Sequence, residues 1–217
     1  MVRLSGVERY RAVSLLKVFG LFFIFISVLA SGCAAKKNAQ HKESYFESLN
    51  KWTRGIKIYE GLETRLYINA TYKDTAFREA YIERYAASYE LEEGQIRSLK
   101  ERELEQAEKI NEFFFTAYTP KDELNDFNDP SSVWKLYMED DTGARLVPLS
   151  ISRLDSTDPI LREFFPYFDP WSSAYLVKFP KYSETGTEPI PNPGTKAIRL
   201  VVTGIFGKGG LEWRMHE

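Results

Sequence analysis

Short segments in which apolar and polar residues alternate recur along most of this chain of 217 residues, and they constrain its fold more than any other feature. In the clearest one, every second residue from Leu62 to Tyr72 is apolar or threonine. Because successive side chains of a strand point to opposite faces, this period predicts strands with one buried face. Comparable segments occur near residues 56–58, 113–118, 134–138, 147–151, 175–179, 198–202 and 211–215. About seven or eight short strands predict a mainly antiparallel β-sandwich of immunoglobulin-like architecture.

A helical period interrupts the strand pattern after the first strands. Asp74 is a good N-cap residue, and aromatic residues follow it at intervals of four. A second helical period spans about residues 92–111, so we expect a helical hairpin at about 75–111, inserted in the sandwich of an α+β protein. The alternative is a small helical subdomain beside an open antiparallel sheet. At helical spacing the aromatic stripe predicts core packing and not a ligand surface; its members are Phe77, Tyr81, Tyr85 and Tyr89.

Two further alternating segments predict a β-hairpin around a turn at residues 140–143. Pro148 lies within the return strand, so that strand is expected at a sheet edge or at a bulge. Trp134 is expected in the core, where sandwiches of immunoglobulin type often place a tryptophan. The facing apolar side chains of this hairpin are Trp134, Leu136 and Met138 on one strand and Val147, Leu149 and Ile151 on the other.

The N-terminus joins basic residues to a short apolar stretch. Four basic residues lie within the first 17, residues 18–30 are uncharged and largely apolar, and the only cysteine, Cys33, follows them. The stretch is too short to cross a bilayer as a helix and has the order of an export signal. Residues 29–33, Leu-Ala-Ser-Gly-Cys, resemble the lipobox of bacterial lipoprotein precursors. An ordinary cleaved signal peptide with a chance cysteine is the alternative.

The resemblance implies that residues 1–32 are removed and that Cys33 becomes a lipidated N-terminus. The residues that follow are polar and lack an apolar period, so we interpret 33–44 as the lipidated N-terminus and tether and 45–217 as the folded domain. Several acyl chains would anchor the protein to the bacterial cell envelope. In this class, Ala34 after the cysteine implies transport to the outer membrane if the host has one. The mature chain would then form no disulfide.

The residue inventory argues against several kinds of chemistry. The two histidines, His41 and His216, lie in the tether and beside the C-terminus. Neither position favours a catalytic triad or a zinc site. Cleavage after residue 32 removes four of 29 basic and one of 31 acidic residues, so the mature chain carries a net charge of about −5. With its basic residues dispersed, this chain is not expected to bind nucleic acid.

Two loops could be mistaken for ligand sites. An acidic loop offers clustered oxygen atoms but lacks the glycine and the distal glutamate of a helix-loop-helix calcium site. We expect it to be a solvated loop. A glycine-rich segment, residues 204–210, is not followed by a helix as a phosphate loop requires, and residues 207–210 are expected to form a turn before the last strand. No metal or cofactor is predicted. The acidic residues are Asp122, Glu123, Asp126 and Asp129, with Asn128 between them.

An aromatic segment at residues 164–171 carries five aromatic side chains and two prolines. The rings could plug one end of the sandwich or form an exposed patch for a protein partner or a glycan. The buried plug is favoured, because soluble domains rarely expose so much aromatic surface. The candidate patch residues are Phe164, Phe165, Tyr167, Phe168 and Trp171.

These observations predict a membrane-anchored envelope lipoprotein that acts as a binding or structural module. The alternative is an enzyme that cuts cell-wall or surface polysaccharide with two carboxylates, although the sequence does not single out a pair. A polar cleft with two carboxyl groups about 5 to 10 Å apart would favour the enzyme.

Overall fold

The computed structural model describes residues 40–183 and 186–215. The chain divides into two units, residues 1–44 and 45–217. The predicted signal peptide, Cys33 and His216 lie outside the described residues. In the part that is described, no helix is both long enough and apolar enough to cross a membrane.

The protein is an α+β chain with two antiparallel sheets. Over the described ranges there are four α-helices: α1 (40–52), α2 (Thr75–Ser88), α3 (Glu93–Lys109) and α4 (Pro159–Phe164). A 3₁₀ turn lies at Asp122–Leu124. The strands in the same ranges are β1 (Thr53–Glu60), β2 (Glu63–Tyr72), β3 (Ile110–Tyr118), β4 (Trp134–Asp140), β5 (Arg145–Leu146), β6 (Ser150–Arg153), β7 (Ser173–Pro180), β8 (Ala197–Gly204) and β9 (Gly207–Arg214).

The strands form a large sheet in the order β1-β2-β3-β7-β6 and a small sheet in the order β5-β4-β8-β9. Aromatic rings connect the two sheets. The ring of Phe113 on β3 lies 5.2 Å from that of Trp213 on β9, centroid to centroid. The Trp213 Nε1–H donates to the carbonyl of Trp52 at 2.7 Å, so this buried indole has its hydrogen bond.

Two helices, α2 and α3, occupy the region where the helical period predicts a hairpin. The carboxylate of Asp74 accepts the N–H of Phe77 at 2.7 Å, which caps α2. Along the aromatic stripe, Phe77 is fully buried and Tyr89 is 48% exposed. Burial raises the pKa of Tyr81 to about 12. The stripe therefore changes from core to surface along the helix.

Ion pairs fasten the helical hairpin to the large sheet. Arg78 on α2 is buried and donates to Glu103 on α3 at 2.6 Å. Its other terminal nitrogen lies 3.5 Å from the buried carboxylate of Glu112 on β3. Lys73 pairs with the same carboxylate, and Gln106 donates to it at 3.2 Å. Since α3 has no fully buried residue, these polar contacts hold it in place.

The predicted hairpin over residues 134–151 is wrong in its second strand. Only two residues of β5 pair with β4, and the chain then crosses to the large sheet as β6. Pro148 cannot donate to a ladder, so pairing with β4 ends there. The next residue, Leu149, donates its N–H to Lys178 of β7 at 2.7 Å. Val147 and Leu149 are 55% and 62% exposed, whereas Trp134 is buried as predicted.

The glycine-rich segment is mostly strand, and the predicted turn at residues 207–210 is wrong. The turn lies earlier, at residues 205–206, and β9 begins at the next glycine. A Cβ on Gly209 would lie 2.7 Å from Cδ1 of Ile56 on β1. Gly207 has a φ of +144°, and a Cβ there would lie 2.7 Å from Cγ2 of Ile58. These glycines allow β1 to pack closely against β9.

Candidate binding groove

A row of three side chains crosses the large sheet on its outer face. Lys57 of β1 lies opposite Tyr67 of β2, and Tyr67 lies opposite Tyr118 of β3. Directly opposite residues in antiparallel strands present their side chains on the same face, so the three form one continuous row. The Lys57 Nζ lies 4.9 Å from the ring centroid of Tyr67, within the range of a cation–π contact.

This row lines one side of a surface groove of about 680 Å³. Pro120, Lys121 and Leu124, from the loop after β3, line another part of it. The turn between β8 and β9 adds Phe206, whose ring centroid lies 5.6 Å from the guanidinium of Arg65. The groove therefore combines aromatic rings with basic side chains, and it is lined by strands of the large sheet and by one turn of the small sheet.

The charge of the groove is predominantly positive. Arg65 is neutralised, because it pairs with Glu60 at 2.8 Å and with Glu63 at 2.9 Å. Lys57 and Lys121 are exposed, and neither forms an ion pair with any residue that the structure describes. Glu63 is the one acid among the lining residues. Two lysines are thus available to an anionic ligand at the ends of an aromatic row.

The aromatic segment covers the other half of this outer face. Phe165 stacks on Phe114 of β3 with 3.8 Å between centroids. The hydroxyl of Tyr167 shares a hydrogen bond of 2.6 Å with that of Thr71 on β2. Burial raises the pKa of Tyr167 above its ordinary value. The aromatic segment thus packs on Phe114 and Thr71, and none of its residues lines the groove.

The five candidate patch residues do not form one exposed surface. Phe164, Phe165 and Phe168 are buried and Tyr167 is half-buried. Trp171 is 79% exposed, and the Asp169 carboxylate accepts its backbone N–H at 2.8 Å. Trp171 is therefore the one member of the set whose side chain is largely exposed.

The acidic loop is organised by its own serines. Asp126 accepts the hydroxyl of Ser132 at 2.7 Å, and Asp129 accepts both the N–H and the hydroxyl of Ser131 at 2.7 Å. The Ser131 hydroxyl, together with its N–H, lowers the pKa of Asp129. Throughout the described ranges, no group of three or more acidic, histidine or cysteine side chains is arranged to hold a metal ion.

The sequence interpretation did not identify the groove. Lys57 and Tyr67 lie on the polar face of predicted strands, and this is the one sequence feature that points to the groove. Their alignment with Tyr118 depends on pairing between β2 and β3, which are separated by the whole helical hairpin. A single sequence does not encode that register in any local pattern.

No protein-family model and no curated protein matches this chain. Among solved structures, it is similar to a protein of unknown function from Burkholderia pseudomallei, with 10% sequence identity and a TM-score of 0.40 over 83% of this chain and 87% of that one.

Proposed function

We propose that this protein is an envelope lipoprotein whose folded domain binds an acidic glycan in the groove on the large sheet. One observation carries the proposal: the aligned row of Lys57, Tyr67 and Tyr118, with unpaired lysines at the groove. Aromatic rings provide flat apolar surfaces for sugar rings. Lysine ammonium groups attract carboxylates or phosphates on the same polymer.

The groove supports binding better than hydrolysis. A carboxylate glycosidase needs two acids about 5 to 10 Å apart across the sugar. The lining includes a single acid, Glu63, and Arg65 already neutralises it at 2.9 Å. The alternative of a polysaccharide-cutting enzyme therefore gains no support from this groove.

Titration calorimetry with tetragalacturonate, an acidic tetrasaccharide, tests the glycan proposal. We expect saturable binding that weakens as salt screens the lysines, and weaker or no binding of the neutral maltotetraose. Tyr67→Ala and the double variant Lys57→Gln with Lys121→Gln should each weaken binding by about tenfold.

The matched controls are Lys208→Gln and Tyr182→Ala, which alter an exposed lysine and an exposed tyrosine outside the groove. Both controls should bind the acidic tetrasaccharide as the wild type does. Equal affinity for the acidic and neutral sugars, or unchanged binding after loss of both groove lysines, would reject the proposal.

The lipid anchor is the second part of the proposal, and the lipobox-like residues 29–33 support it. Cleavage before Cys33 and acylation of its thiol would place the protein on the envelope membrane. Mass spectrometry of the mature N-terminus should find residue 33 first, with the mass of the attached acyl chains. A Cys33→Ser protein that is still cut at the same bond and stays in detergent-free membranes would contradict this.

We also infer that the two sheets form a β-sandwich of immunoglobulin-like architecture. The 5.2 Å contact between Phe113 and Trp213, from opposite sheets, supports face-to-face packing. A double-mutant cycle on Phe113→Ala and Trp213→Ala should then give a coupling energy of about 0.5 to 3 kcal/mol. Additive effects of the two substitutions would argue against this packing.

A further inference from the structure

A second cavity, of about 380 Å³, lies along one edge of β4. Four consecutive residues of that strand, 134–137, line it. Side chains alternate between the two faces of a strand, so four in succession can border one cavity only along the strand's edge. The opposite wall includes Val147, Pro148 and Ile151, at the crossover between the two sheets.

Along this cavity β4 has no ladder partner among the described strands, although the N–H of Trp134 donates to the hydroxyl of Ser132 at 3.1 Å. On the side away from β8, no strand of the described ranges pairs with residues 134–137, since β5 pairs only with Met138 and Glu139. The N–H of Asp140 donates to Ala144 on the β5 side of β4. Peptide groups two residues apart point to the same side, so the N–H and C=O of Leu136 point into the gap.

The cavity also adjoins an indole that lacks a hydrogen bond. Trp134 is 2% exposed, and its Nε1 is one of two buried side-chain nitrogen or oxygen atoms without a partner in the described residues. The indole of Trp213 has the carbonyl of Trp52 at 2.7 Å. A buried N–H of this kind is costly to leave unpaired.

We propose that the gap between β4 and β6 is a docking site for an extended, uncharged peptide segment of a partner protein. An extended backbone supplies both the N–H and the C=O groups that complement those of Leu136. The unpaired edge is about 13 Å long, enough for three or four residues. One acid and one base, Asp129 and Lys135, lie among the lining residues, which matches a segment without net charge.

Nitrogen-15 NMR of the folded domain with an alternating threonine–valine pentapeptide, acetylated and amidated, tests the proposal. We expect saturable shifts of the Leu136 amide and the Trp134 indole, while the indole of Trp213 stays unchanged. Peptide binding should also slow hydrogen exchange of the Leu136 amide. N-methylation of every central residue of the peptide should weaken binding by about tenfold or more, because it removes the backbone donors.

A paired substitution locates the site. Val147→Thr, in the cavity wall, should weaken peptide binding, whereas Ile205→Thr changes a more exposed residue, in the turn between β8 and β9 outside the cavity lining, and should not. If the N-methylated peptide binds as tightly as the unmodified one, backbone hydrogen bonds do not contribute and the cavity is only an apolar pocket. That result would overturn the proposal. If the same resonances shift with protein concentration alone and light scattering finds a dimer, the occupant is a second copy, which also overturns it.

Discussion

The two sheets meet at two edges that are built differently. At one edge β1 lies against β9, where the Arg54 Nε donates to the carbonyl of Glu212 at 3.0 Å. Gly207 and Gly209 provide the space for the isoleucines of β1. At the other edge the chain crosses from β5 to β6 and leaves a cavity along β4. We call these the closed edge and the open edge.

The difference shows what closes a sheet edge. Unpaired backbone at an edge attracts other strands, and proteins cover it or interrupt it. The closed edge is covered because Gly207 and Gly209 have no side chains, which lets β1 approach β9 closely. At the open edge Pro148 stops the ladder, and the exposed Val147 and Leu149 replace it with apolar surface. The open edge is thus the place where we propose that a partner strand docks.

The largest expected effect is the loss of Trp134, the buried ring at the open edge. Trp134→Ala should lower the free energy of unfolding by about 3 to 5 kcal/mol, because it leaves a cavity in the core. Trp171→Ala is the matched variant, and at 79% exposure it should change stability by less than about 0.5 kcal/mol. Urea unfolding of both variants makes the comparison. A Trp134→Ala protein as stable as the wild type would contradict the assignment of this core.

A smaller effect is expected at the closed edge. Gly207→Ala should cost about 1 to 3 kcal/mol, because an alanine is strained at a φ of +144° and its methyl group would meet Ile58. The same substitution at Gly94, on the exposed first turn of α3 with nothing within 4 Å, should be neutral or stabilising. Thermal unfolding distinguishes the two. Equal melting temperatures would show that β1 does not need this glycine.

The smallest effect on stability is expected for the apolar residues of the open edge. Val147→Thr and Leu149→Thr should each change the free energy of unfolding by less than about 0.5 kcal/mol, since both side chains are largely exposed. Denaturant melts check this expectation. A loss as large as that of Gly207→Ala would mean that these side chains are part of the core.

Sequence reasoning succeeded where a signal was local. The period of β2 and the Asp74 cap identified the strand and the start of α2, and the alternation around Trp134 identified a buried tryptophan. It failed where the same residues are compatible with two kinds of local structure. Glycines in β9 resemble a turn, and the crossover at Pro148 resembles the second strand of a hairpin.

The sequence by itself determined the elements, because side-chain periodicity and capping act over a few residues. Only the tertiary structure decided which sheet β6 joins, and which side chains align into the groove. Both depend on pairing between strands that other elements separate in the chain. Alternation along a strand shows which face is polar, but it does not show which residue of another strand lies opposite. The glycines of β9 are required because the isoleucines of β1, about 150 residues away in the chain, pack where their side chains would lie.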